Sequence, residues 1–498
     1  MGNAARGART RHHRLFRTAA RARRAAFSPP HGHDAGPPPT RLPPADGPPD
    51  EGFLGGPDLD DVLEHRHPAV IEAAGELARR MQGSPAPIAA YNSYAGRSDT
   101  LPAPRSRPSP RAEQPLAFQE FVVKLNSRCN LACRYCYVYE SGDEDWRRQP
   151  VRMSDAAVRL MAKRVGEHVR RHRPATVRIV FHGGEPLLSG VDLVTGATRA
   201  LRKEVPADTF LQASVQTNGV LLDRPVLEEL LRHRVSVGVS LDGPPEIHDR
   251  LRRDRHGRGT HARVAAALRL LASPRYRPLW DGVLTVVDPT SDPAAVYRHL
   301  SASGTPVIGL NLPLANWDTP PPAHAAGGAT PYGDWLATVF DLWLADGPAH
   351  GHGRPDIPLF SSLLALLDHE PTSTESLGAG PSKLAVVETD GSLRLSDHLK
   401  FSFEGADRTG LHLTRDSFDD LLAHPGVRAR QTGIRGLCSQ CRSCPLVEVC
   451  GGGHFSHRYR RTNGYANPSV YCHDLARLIQ HAAARLQPLA PPAMEATP

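Results

Sequence analysis

Eight cysteines are the residues best suited to chemistry, and they fall into two groups. Cys129, Cys133 and Cys136 stand in SRCNLACRYCYVYE. Cys438, Cys441, Cys444, Cys450 and Cys472 stand near the C-terminus, and the 301 residues between the groups hold none. Structural disulfides would scatter more widely and would imply an oxidising compartment. Two tight groups in a chain whose start lacks an apolar signal-like run read as metal or cluster ligands in a reducing cytoplasm. The x3, x2 spacing of the first group suits an iron–sulfur cubane with one iron left open to an exogenous ligand. Structural zinc wants four closed ligands. No fourth cysteine is near, and the next histidine is His168. The second group contains CxxCxxC, which in isolation also suits a zinc ribbon.

These residues need a scaffold. Apolar, β-branched runs at 120–125, 176–181, 210–216, 235–240, 282–287 and 306–312 alternate with helix-period segments at about 154–172, 190–204, 224–233, 260–272 and 292–302. Such alternation predicts a parallel α/β sheet with covering helices. Periodicity leaves open whether the units form a partial barrel or a doubly wound sheet. HGGEP, TNG and LDG follow the second, third and fourth strands, at the carboxyl ends where such folds carry their chemistry.

The 498 residues allow roughly two to four domains of about 100–200 residues. The formal charge of +8 is concentrated at the start: residues 1–50 hold nine Arg and three acids, so the remaining chain carries only +2. No basic stripe or binding motif supports a nucleic-acid partner, and no run of about 18 apolar residues supports a membrane span. Residues 28–50 contain nine prolines and 101–115 are again Pro-rich, with a short helix expected at 58–81 and the catalytic body beginning near Phe118.

CxxxCxxC after a first strand, with Tyr135 before the last cysteine, resembles the radical S-adenosylmethionine (SAM) signature. The resemblance implies a partial (βα)6 TIM-like barrel. It also implies a SAM-binding 4Fe–4S cluster on Cys129, Cys133 and Cys136. Further implied contacts to SAM are Gly183, Gly184, Glu185 and Pro186 around the methionyl ammonium, Gln216 and Asn218 near the nucleoside, Ser240 at the ribose, and Arg252 at the carboxylate. Arg250 and Arg253 compete with Arg252 for that last role. Cys441, Cys444, Cys450 and Cys472 resemble the ligands of one auxiliary 4Fe–4S cluster in the SPASM extension of radical SAM peptide maturases. A full extension holds two such clusters. Here His454 and Ser396 stand where that family has cysteines and an upstream pair is absent, so one auxiliary cluster is expected, with Cys438 unassigned.

Residues about 118–480 are similar to the FxsB-type maturases, through HGGEPLL, VGVSLDG, LPLANWD, YGDWLATVFDLWLADG and CGGGHFSHRYR. That resemblance implies a cytoplasmic enzyme acting on a ribosomally made precursor peptide, with a flavodoxin- or ferredoxin-type electron donor. The implied product is a cyclophane, a carbon–carbon crosslink between an aromatic ring and a nearby β-carbon. Asp397 is the expected proton acceptor. The alternatives are sulfatase-maturase-like oxidation, thioether formation or epimerisation, and, outside catalysis, a metal-binding peptide scaffold. The expected organisation is an N-terminal extension at 1–115, the barrel at 116–330, a helical and hairpin bridge at 331–400, the auxiliary-cluster domain at 401–486, and a disordered tail at 487–498.

Overall fold

A computed structural model describes residues 116–325, 329–347, 354–372 and 374–486. The expectations for 1–115 and for the tail from 487 lie outside the described residues.

The strands form where β-branched and aromatic residues alternate in and out. They are β1 (Glu120–Asn126), β2 (Leu131–Cys133), β3 (Thr176–Gly183), β4 (Phe210–Thr217), β5 (Val235–Ser240), β6 (Arg252–Asp254), β7 (Trp280–Val286), β8 (Ile308–Asn311), β9 (Leu384–Val387), β10 (Ser392–Arg394) and β11 (Arg408–His412). Six run parallel in the sequential order β1-β3-β4-β5-β7-β8. A doubly wound sheet reverses its strand order at a switch point. This one does not, so the alternation resolves as the partial barrel. Beyond β1, the opposite edge continues through β9, parallel to β1, and the antiparallel hairpin strands β10 and β11.

Between the strands run α1 (Asp155–His172), α2 (Val191–Glu204), α3 (Arg224–Arg232), α4 (Pro245–Leu251), α5 (His261–Ala272) and α6 (Pro293–Ala302). Their starts are written locally: the side chains of Ser154, Asp223 and Asp292 accept backbone N–H bonds at the first turns of α1, α3 and α6. Phe121, Ile179, Phe181, Val215, Val237 and Val239 are fully buried on the sheet. At about 25 cal/mol per Å² of apolar area, this layer is the main force holding the barrel strands in place.

C-terminal to the barrel lie α7 (Pro331–Ala345), α8 (Pro358–Leu367), α9 (Phe418–Ala423) and α10 (Cys472–Leu486). The buried Asp474 carboxylate accepts the backbone N–H groups of Tyr332 and Gly333, both at 2.9 Å. It thereby caps the start of α7 and ties the helix that begins at Cys472 to the rest of the body. Among the described residues no helix is long and apolar enough to cross a membrane.

Candidate active site

The loop after β1 carries the first cysteine group, and a two-stranded ribbon holds it. β2 pairs antiparallel with β6, in a register that sets Cys133 opposite Arg252. Arg134 N–H donates to Leu251 O (3.0 Å), and Arg255 Nε donates to Cys129 O (2.8 Å). Cys129, Cys133 and Cys136 border one cavity of about 310 Å³, with Tyr135, Gly183, Gly184, Gln216, Asn218, Ser240 and Arg252 also in its lining. Burial pushes the Cys129 thiol up to about 12 and raises Cys133 and Cys136 as well. Bound iron reverses that preference, because a coordinated thiol is deprotonated outright.

Arg252 is only 7 % exposed. Its Nη1 donates to the Tyr135 hydroxyl (2.6 Å), which donates to Asp242 Oδ2 (2.5 Å). Burial works against the guanidinium's charge, but Tyr135, Cys133 and Asp242 outweigh it and raise the pKa further. Arg252 Nε is buried without a hydrogen-bond partner. Arg250 instead pairs with Asp288, and the Arg253 Nε donates to Asp249 O. Of the three, Arg252 is the one that lines the cavity. Asp242 acts as a brace, holding Tyr135 and accepting the Val286 N–H.

The glycines do their work by omission. A Cβ on Gly184 would stand 1.9 Å from the Tyr139 hydroxyl and 2.4 Å from Arg128 O. Gly183 has φ +142° and a Cβ there would meet Asn126 O at 2.1 Å. Backbone thus approaches the cluster loop as only glycine permits.

Glu185 and Pro186, expected to contact the cofactor, are not among the residues that line the cavity. Glu185 is 0 % exposed, and its carboxylate accepts from Leu187 N (3.0 Å), Thr217 Oγ1 (2.8 Å) and Asn218 N (2.8 Å). It clamps the end of β3 to the end of β4. Asn218, so held, turns its Nδ2 to Asn130 Oδ1 (2.8 Å) and lies 3.8 Å from Cys129 Sγ. Gln216 Nε2 donates to Ser240 Oγ (3.2 Å), which joins the ends of β4 and β5 at the cavity.

Asp397 sits in an ion-pair network. It is buried, outside the cavity lining, with Oδ1 2.7 Å from Lys124 Nζ. Lys124 also donates to Glu388, which receives Lys400 as well. Burial raises the Asp397 pKa, but Lys124 and Lys400 overcome it and hold the carboxyl near about 2. Sequence position placed this residue near the site, whereas the contact that neutralises it comes from β1. The histidines that reach the lining are His182, His398, His454 and His457. Burial lowers all four imidazole pKa values, His457 to about 3. His182 Nδ1 is buried without a partner. Its position directly before Gly183 in the HGGEP run was the signal that could have marked it.

In the second group, Cys472 has Cys450, Cys444 and Cys438 as electrostatic neighbours, and Cys441 has Cys438, Cys472 and Cys450. Cys438, Cys441, Cys450 and Cys472 thus influence one another's charge, and Cys438 hydrogen-bonds with Cys441.

The donor set fits its implied cofactors. Three thiols face one cavity, a glycine cradle lies beside them, and a buried guanidinium has one N–H left for an anion. With the parallel barrel around them, these features define a radical SAM enzyme whose cofactors are S-adenosylmethionine and 4Fe–4S. Residues 123–287 match the Radical SAM superfamily profile. The chain is similar to the serine-type anaerobic sulfatase-maturating enzyme of Bacteroides thetaiotaomicron, with 25% identity over 380 residues covering 73% of this chain and 88% of that protein. It is equally similar, at 25% identity over 370 residues, to the cysteine-type enzyme of Clostridium perfringens strain 13, covering 73% and 96%. The solved structure of native anSMEcpe with bound AdoMet and Kp18Cys peptide shares the fold, at TM-score 0.64 and 23% identity, covering 74% of this chain and 97% of that one.

Proposed function

We propose that this protein is a peptide maturase that joins an aromatic ring to a nearby β-carbon of a ribosomally made precursor peptide. A peptide or protein substrate is supported by the sulfatase-maturating relatives. The crosslink is supported by the FxsB-type sequence motifs together with one structural observation. A single cavity is lined both by the cluster loop of the barrel and by His398, His454 and His457 of the C-terminal region. A substrate held there touches both halves of the machinery.

The cofactors supply one-electron chemistry that removes hydrogen from the peptide. The chain's own residues do the rest. Arg252 holds an anionic group through Nε, while Tyr135 and Asp242 fix its orientation. Gln216 and Ser240 offer polar contacts at the ends of β4 and β5. Ring attack leaves one proton and one electron to be removed. His182 takes the proton at Nδ1, since burial keeps it neutral and the Asp397 charge favours its protonated form. Cys441, Cys444, Cys450 and Cys472 would hold an auxiliary cluster, which would supply an acceptor for the electron, with a flavodoxin- or ferredoxin-type protein as redox partner.

The test is product mass and isotope placement. With a precursor peptide deuterated at the attacked Cβ, the product should lose two hydrogens per ring and the deuterium should appear in 5′-deoxyadenosine. A carbonyl in place of a side-chain thiol or hydroxyl would instead assign the sulfatase-maturase type of oxidation. Unchanged mass with solvent deuterium at Cα would assign epimerisation.

A further inference from the structure

His398 and His454 on the cavity's C-terminal wall, and Glu375 outside its lining, are gathered without a role in the reaction above. Glu375, His398 and His454 each turn one ligand atom inward, and these atoms lie within 4.8 Å of one another. His398 Nδ1 is 2.8 Å from His454 Nε2, and Glu375 Oε2 is 3.7 Å from that same nitrogen. From these juxtaposed donors we propose that Glu375, His398 and His454 form a mononuclear site for a divalent transition-metal ion, separate from both cysteine groups. The proposal goes beyond the peptide-maturase reading and does not depend on it.

The chemistry of the set supports the assignment. Two imidazoles and one carboxylate are the ligands of catalytic zinc and of ferrous sites that keep open positions. A cubane wants thiolates, and no cysteine sulfur belongs to this group of donors, although Cys450 stands four residues before His454; Ser396 is the near neighbour of His398. The geometry needs little change. Bonds of about 2.0–2.1 Å in a tetrahedron set ligand atoms about 3.3 Å apart, so the two nitrogens open by roughly half an ångström.

The outer contacts orient the ligands. His454 Nδ1 meets the buried Ser456 Oγ at 2.8 Å, leaving Nε2 for the ion. Arg430 Nη2 donates to Glu375 Oε1, leaving Oε2 on the side of His454. Tyr137 lies edge-on to His398, with ring centroids 5.9 Å apart. Burial lowers the pKa of both imidazoles, which keeps them as neutral donors. His398, His454, Ser376 and Tyr137 border the cavity that the cluster loop also borders. Three protein ligands leave at least one coordination position. It would take an oxygen, nitrogen or sulfur donor of a molecule in that cavity.

The test uses the full chain with its iron–sulfur clusters assembled, and zinc chloride as the probe. After desalting, one zinc per chain should remain. Its X-ray absorption fine structure should show nitrogen and oxygen neighbours at about 2.0–2.1 Å and none at the roughly 2.3 Å of sulfur. His454→Ala and, separately, Glu375→Gln should weaken retention at least tenfold while iron content stays unchanged. His172→Ala dismantles the one other cluster of this ligand type among the described residues that contains two histidines, His168, His172 and Asp419. It should leave the zinc in place. A sulfur shell, zinc loss in His172→Ala, or no stoichiometric uptake would overturn the proposal. If His454→Ala also loses iron, Glu375→Gln with intact iron decides, and undiminished zinc in it overturns the site.

Discussion

A buried guanidinium with one unpaired N–H is costly unless an anion completes it. Arg252→Lys keeps the charge but loses the planar fork. It should raise the apparent Kd for SAM about 10- to 100-fold, the loss of one charge-assisted hydrogen bond, as read by equilibrium binding to the cluster-loaded protein. Tyr135→Phe removes only the brace, and its effect should be smaller. The same residue-level view separates His182 from Asp397. On the proposed mechanism, crosslinking would need neutral His182, whose folded pKa lies below the ordinary 6.5. The rate should therefore be flat above pH 6.5 and fall only as pH drops through that lowered value. His182→Gln should slow ring formation by roughly 10²–10⁴-fold while sparing deuterium transfer. Asp397→Asn removes the charge that supports protonated His182 and shifts the fall to lower pH. It also breaks a buried ion pair, and since Lys124 keeps Glu388 the stability loss should sit near the low end of about 3–5 kcal/mol. Cys129 and Arg252 were legible because spacing and residue type carry their chemistry. The ion pair of Asp397 was not legible, because adjacency in sequence cannot reveal a lysine arriving from another strand.

Strands longer than four or five residues were legible in the sequence, because alternation over that length has only one compact solution. β1, β3, β4, β5 and β7 fall where periodicity put them. β2 and β6 were invisible: LAC and RRD are three residues each, too short for a period, and their pairing is set by the loop that follows β1. Yet that ribbon is what sets Cys133 against Arg252. β9 was equally silent, four apolar residues that find their partner only when the edge of β1 is free. The end of β3 gives the test at this scale. Gly184→Ala inserts a methyl into Tyr139 and the backbone of Arg128, and backbone cannot yield. The cluster loop should be displaced, with loss of about four irons of about eight and of SAM cleavage, while far-UV circular dichroism stays native. Gly196→Ala, within α2 and open to a Cβ, is the control; it should keep all iron and stabilise the fold by up to about 1 kcal/mol.

At the scale of the whole molecule, the charged interior sets acid stability and the two cysteine groups divide the labour. His248 is fully buried between Asp242 N and Thr260 Oγ1, and its pKa falls to about 3 through burial and the charges of Arg252, His261 and His299. The unfolded chain binds that proton near pH 6.5 and the folded one near 3. Its contribution is full above 6.5 and is lost as pH falls between the two, at about 1.4 kcal/mol per pH unit. Urea unfolding of His248→Gln should show that much less slope than the native chain over this window. The division of labour follows from the ligand sets. Cys129, Cys133 and Cys136 sit on the loop after β1, and the second set is anchored through the start of α10, where Asp474 caps α7. Changing Cys438, Cys441 and Cys444 to Ala leaves only Cys450 and Cys472 there, too few thiolates to hold a cubane. Iron should fall from about eight to about four per chain. Reductive cleavage of SAM should survive, because its own ligands are untouched. Ring formation should not, because the radical adduct on the arene then has no electron acceptor within the protein. Deuterium from the attacked Cβ should still reach 5′-deoxyadenosine in this variant, since abstraction precedes the electron's departure. Continued ring formation in the triple variant would mean that the electron leaves by another route, and the second cysteine group would then be structural.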